Sequence, residues 1–392
     1  MQRYPEKSET EEEYSMIGHM TIGRRRLLTL TAAGVTVTAF DGLAGSRQAH
    51  AAETVRWVSP RGTVEVLDDY PYWVAKKLGY FGDIETTLEP GPSDATATVK
   101  LVDQNQADIG FPSPGVFSLG LAQGIPLVSV FCMCGGDVFC FAFRKGQRPA
   151  SLKELEGKTV VLGTAGWQSI CDPVLHAAGV DVTKIKYVDA GWPTWGTALM
   201  SGQGDAALSW EGLRAQWQGQ GLDFDYWLAR DFSKFPANSF VIRKSDFEDA
   251  SKKDLYERYF RAWAMGLEFG RHNPRAATQI VMEQFPALGS QMTPDVAVES
   301  MMQLAVNSFA GRWEERQQKW GYHLVESWQQ FFDAGRAVGQ IQADFKLEDV
   351  LKNDYIDAAN NFDKAKVKAD ADSFKLSDAY NAVNVDEIAK RV

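Results

Sequence analysis

Short apolar segments alternate with amphipathic segments along the chain, and this alternation restricts the fold more than any other feature. Residues 55–58 and 84–88 are predicted strands, with a helix predicted over residues 72–78 between them. A further helix leads to a short strand at residues 107–110. A succession of strand, helix and strand is typical of a parallel sheet covered by helices. The first part of the chain therefore predicts an α/β unit.

The same alternation begins again after residue 150. Strands are predicted at residues 158–162, 185–188 and 206–210, with helices between them. After about residue 245 the chain becomes mostly helical. Two α/β units of similar organisation predict two lobes, each a mixed, mostly parallel sheet flanked by helices.

The first 51 residues are predicted to be a cleavable export signal. Three consecutive arginines, Arg24 to Arg26, precede an uncharged apolar stretch over residues 27–40. This stretch is too short to span a bilayer comfortably, which takes a helix of about 20 residues. Ala49-His50-Ala51 matches a small-x-small cleavage site, so we expect cleavage after Ala51. The arginines resemble a twin-arginine signal, with the general secretory route and a membrane anchor as alternatives, and export predicts a periplasmic location.

The charge balance argues against polyanionic partners. The chain has 41 Lys and Arg residues against 51 Asp and Glu residues, a formal charge of −10. Such a chain repels nucleic acid and anionic membranes unless a local patch overrides the mean. No second apolar run approaches 18 residues, so we expect the mature protein to be soluble.

Four short segments, in their order and spacing, resemble those of a known family. They are residues 75–81, 106–110, 152–160 and 200–206. Together with the export signal, they resemble the periplasmic binding proteins of ABC importers in the nitrate, sulfonate and taurine group, which also contains thiamine-pyrimidine-binding proteins. The resemblance covers essentially the whole mature chain.

The resemblance implies a two-lobed periplasmic binding protein fold of type II, with a ligand cleft between the lobes that closes like a hinge. Lobe 1 is expected to comprise residues 53–145 and 245–392, and lobe 2 residues 146–244. The implied partners are a small-molecule ligand and an ABC permease in the inner membrane, with no nucleic acid and no cofactor. Binding proteins of this type are usually monomers.

In open α/β sheets, ligands bind beyond the carboxyl ends of strands, where the N-termini of helices present free N–H groups. This rule selects loops independently of the resemblance. A plain helix cap is the alternative role for Ser93 and Ser113. The candidate ligand-binding residues are Asp69, Tyr70, Ser93, Asp94, Ser113, Pro114, Trp167, Gln168, Ser169, Trp192, Trp195, Trp210 and Glu211.

Four of these candidates are tryptophans in strand-to-helix loops or at strand ends of lobe 2. They suggest a ring-bearing or cationic ligand held by stacking or cation–π contact, whereas scattered core tryptophans are the alternative interpretation. Asp68, Asp69, Asp94 and Glu211 are acidic neighbours that could pair with an amine. Few basic residues lie in the same loops. An aromatic, heteroaromatic or amine-bearing ligand is therefore favoured over sulfonate, taurine or nitrate.

The cysteines form an even set of four: Cys132, Cys134, Cys140 and Cys171. In an oxidising compartment disulfides among them are the first expectation, and the sequence does not choose their pairing. A bridge between Cys132 and Cys134 is geometrically poor, because two residues that alternate along a strand point to one face. Buried reduced thiols and a metal site are the alternatives.

The sequence contains no HExxH, Gly-x-Ser-x-Gly, phosphate-loop or Rossmann motif. The absence of these motifs argues against an enzyme without excluding one. We therefore expect a non-enzymatic solute receptor that delivers a small organic ligand to a membrane importer. The alternative is an enzyme similar to the thiamine-pyrimidine synthases that share this fold family, using a Cys-rich segment and a metal. A periplasmic sensor would use the same binding chemistry.

Overall fold

Two five-stranded sheets organise the part of the chain that the structure, a computed structural model, describes: residues 53–92, 96–343 and 345–392. The predicted export signal and the candidates Ser93 and Asp94 lie outside these residues. The strands are β1 (Thr54–Val58), β2 (Glu85–Glu89), β3 (Ile109–Gly110), β4 (Leu127–Phe131), β5 (Phe139–Arg144), β6 (Thr159–Leu162), β7 (Lys186–Asp189), β8 (Ala206–Trp210), β9 (Phe224–Leu228) and β10 (Phe240–Arg243).

Helices cover both sheets and dominate the last third of the chain. They are α1 (Tyr70–Lys77), α2 (Ala97–Asp103), α3 (Pro114–Ala122), α4 (Gln168–Ala177), α5 (Trp195–Met200), α6 (Leu213–Gly219), α7 (Lys244–Glu248), α8 (Lys253–His272), α9 (Pro274–Gln284), α10 (Pro294–Leu304), α11 (Val325–Ala337), α12 (Leu347–Val350), α13 (Ile356–Ala359), α14 (Lys364–Asp372), α15 (Asp378–Asn381) and α16 (Val385–Ala389). A π-helical turn, Ala305–Phe309, follows α10 directly. Within the described ranges, no helix is both long and apolar enough to cross a bilayer.

The two sheets have the same organisation. The first has the order β2-β1-β3-β10-β4, and the second has the order β7-β6-β8-β5-β9. In each sheet the first three strands are parallel, and the fourth runs antiparallel to both of its neighbours. The predicted fold class, two lobes of mixed sheet flanked by helices, is confirmed.

Two strands belong to a different sheet from the one expected for their predicted lobe. β5 belongs to the second sheet, although it falls within residues 53–145, and β10 belongs to the first, although it falls within residues 146–244. Each is the fourth strand of its sheet, and the chain crosses between sheets just before it. The expected lobe boundaries at residues 145 and 244 fall just after these two strands, whereas the chain crosses between the sheets just before them.

Local signals at helix starts account for two elements of the fold. Ser113 caps α3, its Oγ accepting the N–H of Val116 at 3.3 Å, and Pro114 occupies the first helical turn, as predicted. Ser151 and Glu154 form a capping box at the start of the 3₁₀ turn Leu152–Leu155. These caps fix where the chain leaves the sheets.

Candidate functional site

A cleft opens between the two sheets, with about 770 Å³ of space when the part open to solvent is included. Its walls are mostly apolar, and both sheets contribute to them. One wall comes from the loops and helices around the first sheet: Pro60, Arg61, Asp68, Phe111, Pro112, Ser113, Val116, Leu304 and Phe309. The rest comes from the second sheet and the crossover segments: Cys134, Val138, Phe139, Trp167, Ile170, Leu208, Ser209, Trp210 and Asn238.

The four predicted tryptophans form one cluster. The rings of Trp192 and Trp210 are stacked at 5.5 Å with 6° between their planes, and Trp195 lies 4.7 Å from Trp192 and 5.9 Å from Trp210. Trp167 stands edge-on to all three. The four tryptophans that were predicted from their positions in loops are therefore in contact with one another.

The four indoles do not have the same access to the cleft. Trp167 and Trp210 line it, whereas Trp192, which stacks on Trp210 and is partly exposed, does not. Trp195 is 1% exposed, and its indole N–H donates to the carbonyl of Leu208 at 3.0 Å. Trp195 is therefore a core residue, because its ring is buried and its N–H is already paired. Trp210 and Trp167 are the two tryptophans that can stack on a ligand in this arrangement.

A buried charge cluster forms the polar end of the cleft. Arg61 Nη2 lies 2.5 Å from Asp69 Oδ1, and Arg61 Nη1 lies 3.5 Å from Asp68 Oδ2. Burial favours the neutral carboxyl and raises the pKa of Asp68 to about 6, although Arg61 opposes the rise. Burial also raises the pKa of Asp69. When both carboxylates are ionised, they outweigh the single guanidinium, and the cluster carries a net negative charge.

Three polar atoms of cleft residues are buried without a hydrogen-bond partner. They are Nε of Arg61, Nε1 of Trp210 and Oγ of Ser209. Two of them are obligate donors and the third is a hydroxyl, so together they can serve a ligand that offers acceptors. An unpaired buried donor costs free energy that a bound acceptor would recover.

The remaining acidic and tyrosine candidates lie behind the cleft surface. Asp69 is fully buried against Arg61. Tyr70 packs against Phe309 with 5.9 Å between ring centroids. Glu211 is also fully buried, 2.7 Å from a guanidinium nitrogen of Arg214 and 3.1 Å from one of Arg230. Of the acidic residues predicted near the ligand that the structure describes, Asp68 is the one that lines the cleft.

The candidates at the starts of α3 and α4 meet each other. Ser113 lines the cleft, and Pro114 is buried beside it. Ser169 lies close to Gly115 of α3, since a Cβ built at Gly115 would be 2.3 Å from the Ser169 carbonyl oxygen. Gln168 instead bonds to Asp172 at 3.0 Å on the surface of α4.

All four cysteines are free and buried, which differs from the disulfide expectation. Burial raises the pKa of each thiol, that of Cys134 to about 12. The structure therefore matches the alternative of reduced thiols that pack as small hydrophobic side chains. Among the described residues, His, Cys, Asp and Glu side chains form no group of three or more that is suited to a metal ion.

Sequence reasoning missed several residues of the cleft, among them Arg61, Asn238, Leu304 and Phe309. Arg61 had a signal, because it lies in the loop after β1 that the strand-end rule selects. Leu304 and Phe309 come from a helical region far along the chain. No local pattern indicates that such residues return to a cleft.

The sequence model of a family described as NMT1/THI5 like matches residues 68–277, more than half of the chain. A curated protein of Haemophilus influenzae named "Putative thiamine biosynthesis protein" is 26% identical over 137 residues. That match covers 34% of this chain and 43% of the relative, so the chain spans less than half of the relative's length.

Solved structures with the periplasmic binding protein fold are also similar to this chain. The periplasmic nitrate-binding protein of Synechocystis superposes with a TM-score of 0.58 at 12% identity, over 83% of this chain and 99% of the other. The alkanesulfonate-binding protein of Xanthomonas axonopodis bound to MOPS gives a TM-score of 0.55 at 11% identity, over 77% of this chain and 99% of the other. At such low identity the similarity concerns the fold.

Proposed function

The chain belongs to the NMT1/THI5-like family, and on that premise we propose that it is the solute-binding component of an ABC importer. It captures a small organic molecule between its two lobes and catalyses no reaction. The observation that carries this proposal is the apolar cleft of about 770 Å³, whose walls come from both sheets. A ligand in such a cleft touches both lobes at once.

The cleft favours an aromatic, heteroaromatic or amine-bearing ligand. Trp210 and Trp167 offer ring faces and edges, and the remaining walls are largely apolar. Arg61 is already paired with Asp68 and Asp69, so it has no uncompensated positive charge for an oxyanion. The structural neighbours bind nitrate and an alkanesulfonate, so anions of these types belong in the same test.

Binding works through a difference in affinity between two arrangements of the lobes. A ligand that contacts both lobes binds the closed form more tightly and shifts the population towards it. The permease in the inner membrane then recognises the closed form. This role places the mature protein in the periplasm, after removal of the signal near Ala51.

The alternative is an enzyme similar to a thiamine-pyrimidine synthase. The family description and the name of the Haemophilus influenzae relative support this alternative. The two roles differ in one observable, because a receptor returns its ligand unchanged and an enzyme converts it.

A thermal-shift screen tests the proposal with compounds of matched shape and different charge. Phenyltrimethylammonium and benzenesulfonate share a ring and carry opposite permanent charges; 4-amino-2-methylpyrimidine, thiamine, taurine and nitrate complete the set. A compound at 100 times its Kd adds about 2.7 kcal/mol to the free energy of unfolding. We expect stabilisation by the cation or the pyrimidine. Stabilisation by benzenesulfonate, taurine or nitrate alone would contradict the ligand class, and conversion of a bound compound would favour the enzyme.

A further inference from the structure

Helix α10 reaches across one side of the cleft and contacts α6, the helix that follows the last strand of the parallel set in the second sheet. Gln303 Oε1 accepts the backbone N–H of Ala215 at 3.2 Å. Ser300 Oγ donates to the carbonyl of Gly212 at 2.5 Å. Both α10 side chains are 2% exposed, so these hydrogen bonds are shielded from water.

Gln303 supplies the side-chain oxygen acceptor that the N-terminus of α6 lacks. The residue before the helix is Gly212, which has no side chain and makes no capping hydrogen bond. The N–H of Ala215, in the first turn, has no partner within the helix. Gln303 therefore acts as the cap of α6 from a different part of the chain, in the position that a Ser or Asp cap usually occupies.

Close backbone approaches extend the contact along both helices. A Cβ built at Gly212 would lie 2.6 Å from Leu304 Cδ1, and one built at Gly219 would lie 2.8 Å from Val296 Cγ1. Larger side chains at these two positions would push the helices apart. Glycine at both positions lets α10 lie against α6 from its first turn to its last.

The same contact borders the cleft. Leu304, which is adjacent to Gln303, lines the cleft from α10, and Trp210, two residues before Gly212, lines it from the second sheet. A movement that separates these walls must break the hydrogen bonds of Gln303 and Ser300. Opening of the cleft on this side would therefore break the contact.

We propose that Gln303 and Ser300 form an interlobe latch that holds the cleft closed and thereby sets its affinity for solutes. This inference rests on the proposed receptor function and identifies residues that regulate it without touching the ligand. Gln303 and Ser300 are positioning residues. By population shift, the apparent affinity for a solute scales with the fraction of the protein that is closed, so loss of a contact that favours the closed form weakens binding by the factor by which that fraction falls.

Gln303→Met tests the latch, because Met has a similar length and offers only a weak acceptor. We measure the radius of gyration of the protein by small-angle scattering without any added solute, together with its Tm. The latch predicts a larger radius of gyration than in the wild type and a Tm lower by no more than a few degrees. An unchanged radius of gyration, with or without a lower Tm, would overturn the proposal, because the contact would then be permanent or without influence on closure.

Two matched variants complete the test. Gln303→Glu keeps an acceptor oxygen and should restore the radius of gyration of the wild type; failure to do so would count against the hydrogen bond as the cause. Gln279 Oε1 accepts the N–H of Ser377 at 3.0 Å within the C-terminal helical region. Gln279→Met should therefore lower the Tm and leave the radius of gyration unchanged.

Solute affinity is a separate readout, taken with phenyltrimethylammonium. We expect Gln303→Met to weaken its binding about tenfold, the effect of one lost buried hydrogen bond. Equal affinity of Gln303→Met and the wild type, with measurable binding, would overturn the link between latch and affinity. A wild-type protein that binds none of the screened compounds but opens on loss of Gln303 would overturn the proposed function and retain the latch.

Discussion

At the scale of single residues, the tryptophan cluster separates ligand contact from core packing. Trp210 lines the cleft with an unpaired indole N–H, whereas Trp195 is buried with its N–H bonded to Leu208. The two rings lie 5.9 Å apart and are nearly parallel. Substitution of each should therefore affect a different property of the protein.

Trp210→Ala should weaken the binding of phenyltrimethylammonium by about 1 to 3 kcal/mol, because it removes a stacking face at the cleft wall. Trp195→Ala should instead lower the free energy of unfolding by about 3 to 5 kcal/mol, because it leaves a cavity in the core. Calorimetric titration and denaturant unfolding measure the two effects. Unchanged affinity in Trp210→Ala would contradict the assignment of this ring to the ligand.

Asp68 should make the binding of a cation depend on pH. Its pKa is raised to about 6 by burial, so the carboxylate that attracts a cation is lost as the pH falls through this value. The affinity for phenyltrimethylammonium, whose own charge does not change with pH, should decrease over the same range. Titrations at several pH values check this in the wild type and in Asp68→Asn. The same pH dependence in both proteins would exclude Asp68 as its source.

At the scale of elements, a buried polar network joins strands β4 and β10 to the C-terminal region. His323 Nε2 lies 2.7 Å from Ser129 Oγ, and His323 Nδ1 lies 3.0 Å from Asn353 Oδ1. Since Oδ1 can only accept, Nδ1 carries the proton and Nε2 accepts from Ser129. Ser239, at the start of β10, completes the network at 3.3 Å from Nε2.

This network predicts a loss of stability in acid. Burial lowers the pKa of His323 from 6.5 to about 3, so between these values the unfolded chain binds a proton that the folded protein does not. The contribution of His323 is fully present above pH 6.5 and decreases as the pH falls towards 3. We expect the stability advantage of the wild type over His323→Gln to shrink across this range in denaturant unfolding.

Asp137 provides a control, because its effect on stability should change with pH in the opposite direction to that of His323. Its carboxylate accepts from Ser233 Oγ at 2.7 Å and from the N–H of Phe139 at 3.1 Å, and burial raises its pKa to about 7. The folded protein therefore holds a proton that the unfolded chain releases, and stability falls as the pH rises towards 7. Curves for Asp137→Asn and His323→Gln that bend in the same direction would contradict both assignments.

Local signals in the sequence identified most elements, and tertiary contacts account for the others. The cap at Ser113 and the strand over residues 206–210 were predicted because each depends on neighbouring residues. β9 and β10 were not predicted, because they are short and their antiparallel pairing joins segments far apart in the sequence. For the same reason the sequence indicated Trp210 and Ser113 in the cleft but not Phe309.

At the scale of the whole molecule, the C-terminal segment supports a helix that borders the cleft. Tyr380, Val383 and Ile388 of the C-terminal segment pack against Val298 and Met302 of α10. These contacts hold α10 where it meets α6. The C-terminal helices therefore serve the cleft although they contribute no residue to its lining.

The most direct test of the central claim is equilibrium dialysis of the purified protein against phenyltrimethylammonium, 4-amino-2-methylpyrimidine and benzenesulfonate, followed by chromatography of the recovered compounds. The account predicts saturable binding of the cation or the pyrimidine, weak binding of the sulfonate, and recovery of every compound unchanged. Tight binding of benzenesulfonate alone, or recovery of a converted product, would contradict it.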